Sequence, residues 1–188
     1  MTFQDLLVIL GSEKPSDTLT KRKEELFKLI PELKESDGFN QNNPWHVYDV
    51  FEHIMHVVDG VSNNYVSRLS ALFHDIGKPF VYTEDENHVG HFYNHWSISK
   101  EIFLKFAKKH HLDEKSTQLI SKIIFYHDLG IKTLNEVDYK AFLKEFNSDE
   151  MKLLFDLKKS DLLAQNPKYH YLLEEYEDTL KKILNNYI

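Results

Sequence analysis

The sequence predicts an all-α fold, a helical bundle broken by one short irregular or two-strand segment near residues 80–93. Three observations lead there. Apolar residues recur at helical spacing along nearly the whole chain. Only 6 Gly and 5 Pro occur among 188 residues, too few for a turn-rich sandwich or barrel. Capping residues (Ser16 or Asp17, Asn94, Asp113, Ser148) stand before periodic apolar runs. Gly60, Gly77-Lys78-Pro79 and Gly130 are the matching stops.

In chain order, helices are expected over 2–10, 18–30, 47–60, 65–77, 95–110, 115–127, 138–146, 149–165 and 169–187. Phe80–Thr83 can pair with Gly90–Tyr93 around Asp85-Glu86-Asn87. The length fits a single domain over 1–188, with 1–30 as an N-terminal helical prefix. Lys34–Asn43 (KESDGFNQNN) is the only seam, and there is no repeat or low-complexity tract.

Composition narrows the function classes. Apolar residues make up 41% and charged residues 28%, a globular balance that rules out bulk disorder. There is no Cys, which excludes disulfides, thiolate metal sites and a cysteine nucleophile. The net charge of −7 disfavours general polyanion binding. RNA is therefore not indicated by charge, although one basic pocket can still hold a phosphate. The apolar run Leu6–Leu10 is far short of the ~18 residues that read as a membrane span. No basic stretch precedes it, so a soluble cytoplasmic protein with no membrane partner is expected. Oligomeric state has no signal in the sequence. Eleven His residues are the compositional outlier, and His is the commonest protein metal ligand.

Placing each residue 100° after the last locates polar groups on core faces. In 47–60 the apolar stripe is Val47, Val50, Phe51, Ile54, Val57 and Val58; His53 lies at its edge and His56 points away. His95 continues the stripe of Ile98, Ile102, Phe103 and Phe106. His127 falls on the stripe of Ile120, Ile123 and Ile124. Asp161 sits between Leu154, Leu157 and Ala164. A carboxylate on a core face costs several kcal/mol unless paired or metal-bound. No Lys or Arg shares its face, since Lys158 and Lys159 point elsewhere. The segment LSALFHDIGK adds His74 and Asp75. His56, His88, His91, His110, His111 and His170 are expected at the surface or at helix ends, and Asp128 in a loop or cap.

Imidazole nitrogen plus carboxylate oxygen, without thiolate, suits a divalent metal: Mn, Fe, Co, Ni or Zn, and also Mg. One ion held by His53, His74, Asp75 and Asp161 keeps open positions. Such an ion lowers the pKa of a bound water and polarises a phosphoryl oxygen. Lys78, one turn past Asp75, can contact a phosphate as a point charge. His95 and His127 can ligate a second metal, or bind the phosphate and protonate the leaving group; the sequence leaves both open.

The string His74-Asp75-Ile76-Gly77-Lys78-Pro79 resembles the signature of the HD-domain metal-dependent phosphohydrolase superfamily. That superfamily's pattern of His, His-Asp and distant Asp falls on His53, His74-Asp75 and Asp161. The closer match is to the C-terminal HD domain of bacterial CCA-adding tRNA nucleotidyltransferases. Asn43–His53 resembles its first site helix, with His46 and Asp49 in place; Leu69–Pro79, Gly90–Ile102, Phe125–His127 and Leu157–Asn166 come next in order. The resemblance covers about residues 24–187. It implies an HD-domain helical bundle hydrolysing a mono- or diester of a nucleotide-type substrate, such as a 2′-nucleotide or 2′,3′-cyclic phosphate, through a metal-bound water. Asp75 would bind metal and orient the water, His53, His74 and Asp161 would complete the ligands, and His95, His127 and Lys78 would handle the phosphate. The sequence departs from the pattern in three ways. It has no nucleotidyltransferase half, Asn94-His95-Trp96 replaces Gly-His-Glu, and Lys78 stands where a nucleotidase subfamily has Glu. Two alternatives remain: a non-catalytic nucleotide- or RNA-associated module, and a di-iron HD-fold oxygenase.

Overall fold

The computed structural model describes residues 1–128 and 144–185. Among these the regular structure is helical apart from one pair of two-residue strands. The helices are α1 Phe3–Leu10, α2 Pro15–Lys21, α3 Lys23–Leu29, α4 Val50–Gly60, α5 Tyr65–Phe73, α6 His95–Lys109, α7 Glu114–Tyr126, α8 Ser148–Leu163 and α9 Leu173–Asn185. Short 3-10 turns cover Pro31–Ser36, Lys78–Phe80 and Pro167–Leu172.

Helix α5 is the central element. Every residue from Ser67 to Phe73 is buried, and α5 touches α1, α4, α6, α7 and α8. A helix apolar on most of its circumference has to be enclosed this way. One hydrophobic cluster joins Leu6 and Leu10 of α1 and Leu19 of α2 to Ile54, Leu72, Phe103, Ile123, Leu154 and Ile183. The N-terminal helices thus share the core of the rest. None of the described helices is long and apolar enough to cross a membrane.

Several boundaries differ from expectation for local reasons. The helix expected over 18–30 is two helices broken at Arg22 (φ −109°, ψ 25°). The first starts early because Pro15 occupies its N1 position, where a missing N–H costs nothing. Ser16 does not cap it; its N–H and hydroxyl both donate to Asp59. Helix α4 starts at Val50, not 47, because Asp49 accepts from the Glu52 N–H at 2.8 Å. Val47 is accordingly 52% exposed rather than part of the core stripe. Asn147, not Ser148, caps α8, in a reciprocal capping box with Glu150. Asn94 precedes α6 in the left-handed region (φ 66°) without a side-chain cap bond. Gly60 is the last residue of α4 rather than a stop beyond it.

The strand pair is shorter and shifted. Thr83 pairs with His91 and Glu84 with Gly90, antiparallel, while Phe80 belongs to a 3-10 turn. The helix expected over 65–77 ends at Phe73, and that over 169–187 begins as a 3-10 turn. The expected stop at Gly130 and most of the expected helix 138–146 lie outside the described residues.

One glycine sets how closely two of these elements meet. Gly77 has an ordinary φ of −79°, so its backbone does not demand glycine. Its surroundings do: a Cβ there would collide with the His95 carbonyl oxygen and lie 2.8 Å from both N and Oγ of Ser99. The Gly77 N–H donates to Ser99 Oγ at 2.9 Å. The turn after α5 is thereby pressed directly against the first turn of α6.

Candidate metal centre

Five segments each bring one or two chemical groups to a common point. Helix α4 contributes His53. The turn that ends α5 contributes His74 and Asp75. His95 is the first residue of α6, His127 caps the C-terminus of α7, and Asp161 lies near the end of α8. All six are expected from the sequence, and the structure brings them together. Their ligand atoms form two overlapping groups, His53, His74, Asp75 and Asp161, and Asp75, His95 and His127, within 4.8 Å of one another in each.

Asp75 joins the two groups. Its Oδ2 lies 3.3 Å from Nε2 of both His53 and His74. Its Oδ1 lies 3.1 Å from His95 Nε2 and 3.5 Å from His127 Nε2. Asp161 Oδ1 closes the first group, 3.0 Å from His53 Nε2, and accepts from Gln165 Nε2 at 3.1 Å. His53, His74, Asp75, His95 and His127 are buried, while the Asp161 side chain is 16% exposed and faces a cleft.

The opposite edge of each ring is held by backbone. Nδ1 of His74 donates to the Ala71 carbonyl at 2.7 Å, Nδ1 of His95 to Phe92 at 2.8 Å, and Nδ1 of His127 to Ile124 at 2.6 Å. His53 Nδ1 is 3.4 Å from the Ala164 carbonyl. With Nδ1 carrying the proton, each Nε2 turns a lone pair inward, as metal-bound histidines do. The Nε2 atoms then face one another in pairs, His53 with His74 at 3.3 Å and His95 with His127 at 3.2 Å. Facing lone pairs need a proton or a cation between them.

The charges are consistent with that need. Burial opposes the imidazolium of His53, but hydrogen bonds to Asp161 and Asp75 outweigh it and raise its pKa to about 9. Burial works against the Asp75 carboxylate too, yet the charges of His74 and Lys78 hold its pKa well below the usual range. Burial acts the same way on Asp161, which is likewise held low, mainly by His53. Burial lowers His127. Asp75 Oδ2 accepts no hydrogen bond of ordinary geometry among the described residues, although the Lys78 ammonium approaches to 2.7 Å. Four inward lone pairs and two carboxylates, one of which carries this buried oxygen, fit one or two divalent cations, in a mixed N/O donor set.

Of two nearby cations, Lys78 lines the cleft and Lys158 is placed differently from expectation. Lys78 is buried: besides its ion pair with Asp75 it donates to Gln41 Oε1 at 2.8 Å and lies 3.4 Å from His46 Nε2. Lys158 does not point away from the site. It is buried, and its ammonium donates to the His127 carbonyl. Burial lowers its pKa to about 8. Lys159 does point outward, to Glu177.

Other lining residues escape the sequence reading. His91, expected at the surface, lines the cleft beside Asp75, as do Asn43, Gln165 and Asp128. His46 packs edge-on to His53, and burial pushes its pKa down to about 2. His46 and Asn43 fall in the stretch Asn43–His53, His91 in Gly90–Ile102 and Gln165 in Leu157–Asn166, but only His46 is singled out there as a matching position. Gln41 and Asn43 sit in irregular chain, where periodicity is silent. His56 is exposed and stacks on Tyr48, as expected of a residue outside the site.

Comparison with family models gives one match: the model of the HD domain aligns with residues 44–181, most of the chain. Comparison with curated proteins finds no match.

Proposed function

The chain belongs to the HD domain family, and from that premise we propose that it is a metal-dependent phosphohydrolase acting on a mono- or diester of a nucleotide-type substrate. The observation that carries this reading is the double presentation of Asp75, one oxygen to His53 and His74, the other to His95 and His127. His53, His74, Asp75 and Asp161 would hold one divalent ion of the Mn, Fe, Co, Ni, Zn or Mg class, and Asp75, His95 and His127 a second. Such an ion, when bound, supplies charge to a phosphoryl oxygen and brings the pKa of water towards neutrality.

The protein's own groups do the rest. The carbonyls of Ala71, Phe92 and Ile124 fix three imidazoles in the tautomer that offers Nε2. Lys78 and Gln41 hold Asp75 in one orientation. The cleft beside Asp161 and His127 would admit the phosphate ester. The partner is therefore a small phosphorylated molecule, with nucleotide character drawn from the resemblance to the HD domain of CCA-adding enzymes.

The test is elemental analysis of the purified protein, followed by assay on a broad phosphoester panel with Mn, Co or Ni. Turnover that is lost in Asp75→Ala, with the fold retained, is the expected result. Added metal should also raise stability, by about 2.7 kcal/mol at a hundredfold excess over the dissociation constant. No activity on the whole panel refutes the reading. Tight nucleotide binding without turnover would mark a binding module, and bound iron with oxygen-dependent activity an oxygenase.

A further inference from the structure

We infer that the substrate is a phosphodiester carrying a planar ring on each side of the phosphorus, a dinucleotide-like ester rather than a monoester. This deepens the phosphohydrolase reading and rests on it. Two adjoining cavities meet at the donor cluster, of about 190 Å³ and about 400 Å³. They share Asn43, His46, His127, Asp128, Asp161 and Gln165 as a common wall. The larger alone lies within the range of small-molecule sites.

Each cavity has its own aromatic surface. The smaller is lined by Tyr93, His91 and Trp96. The rings of His91 and Tyr93 lie parallel, 5.3 Å apart and 5° from coplanar, and Tyr93 is left 69% exposed. The larger is lined by Trp45 and Tyr176. Trp45 stacks on Tyr169 at 3.6 Å and 17°, and the Lys168 ammonium covers Tyr169 at 4.8 Å. Trp45 therefore has one face occupied while 39% of the residue remains exposed. Rings already stacked on neighbours lose little freedom when a ligand ring joins the stack.

A monoester has one organic arm, so it fills one cavity and leaves the other empty. A diester has two arms diverging from one phosphorus, and the donor cluster lies where the two cavities join. Hydrolysis would form one bond between water oxygen and phosphorus and break one bond from phosphorus to an arm. The departing oxygen takes a proton, giving a monoester and an alcohol. Each product spans a single cavity, so both leave more readily than the substrate.

The test compares ligands on the full-length protein. Metal-free protein is titrated with a ribodinucleoside monophosphate and with adenosine monophosphate, following tryptophan emission. Base–aromatic stacking predicts roughly 5- to 150-fold tighter binding for the two-ring ligand. Trp45→Ala should lose at least fivefold for the dinucleoside and much of the emission change. Tyr93→Ala, at a position too exposed to threaten folding, should lose a similar factor independently. In parallel, metal-loaded protein is assayed on bis(4-nitrophenyl) phosphate, methyl 4-nitrophenyl phosphate and 4-nitrophenyl phosphate, which share one leaving group. The expected order of KM is bis ester lowest, with Trp45→Ala raising that KM towards the methyl ester's. Equal affinity for one-ring and two-ring ligands overturns the inference while leaving hydrolysis standing. Inactivity towards all three esters refutes the hydrolase reading instead, and the binding ratio still decides the two-armed cleft.

Discussion

Gly77→Ala isolates the contact that places His95. The backbone at Gly77 suits any residue, so no strain in φ accompanies the change. What the added methyl meets is α6. Ordinary Cβ contacts begin near 3.4 Å, and Ser99 N and Oγ lie at 2.8 Å, so α6 must retreat by about 0.6 Å at Ser99. The retreat is larger at the His95 carbonyl, which is closer still. Metal–ligand distances tolerate about ±0.2 Å, so His95 Nε2 leaves the group it forms with Asp75 and His127. His53, His74 and Asp161 are not on α6 and keep their places. Calorimetric titration of metal-free protein with Mn should therefore show the Asp75–His95–His127 group weakened at least tenfold, with the other group nearly unchanged. Overpacking of this kind costs about 1–3 kcal/mol, or roughly 2–12 °C in Tm at this chain length. A binding curve and melting temperature both equal to wild type would refute the steric account.

Other outcomes rest on the same structure. Asp75→Asn should abolish metal binding at both groups, measured by elemental content after dialysis, and cut turnover by at least a hundredfold, the scale of losing one electrostatic stabiliser. Metal-free protein should lose stability as pH rises from 6.5 to 9. His53 has a folded pKa raised to about 9, so its contribution of roughly 3 kcal/mol is complete below 6.5 and gone above 9. Urea titrations across that range should show the fall, and metal-saturated protein, whose His53 carries no proton to lose, should not. Asn43→Ala removes a donor to the Gly90 carbonyl at 2.8 Å and an acceptor for the Trp45 N–H at 3.0 Å. A loss of about 1–2 kcal/mol is expected, with faster amide exchange at Trp45 as the readout.

The parts of the site legible in the sequence are those carried by helical periodicity. His53, His95, His127 and Asp161 stand out because a 3.6-residue repeat fixes which face looks inward, and each interrupts or borders an apolar stripe. The His74-Asp75 pair is legible as a dipeptide in an apolar segment. What periodicity misses lies in irregular chain. Gln41, Asn43 and Trp45 belong to the stretch before α4, and His91 to the strand pair; no repeat predicts where such residues point. Lys158 shows a different failure. It stands four residues after Leu154 and three before Asp161, so helical spacing already puts it near the inward face, and its ammonium reaches the His127 carbonyl. Val47 fits the apolar stripe by spacing alone, yet the cap that Asp49 supplies starts the helix after it.

The Nδ1 bonds of His74 and His127 reach back three residues, to carbonyls in the last turns of α5 and α7. Carbonyls at a helix end have no partner further along their own helix. The same two protons therefore finish a helix end and select the imidazole tautomer. Replacing either histidine frays a terminus as well as deleting a ligand, so alanine scanning here will overstate the cost of losing metal. A substitution that keeps the Nδ1 proton but blocks Nε2, such as incorporation of τ-methylhistidine, separates the two effects.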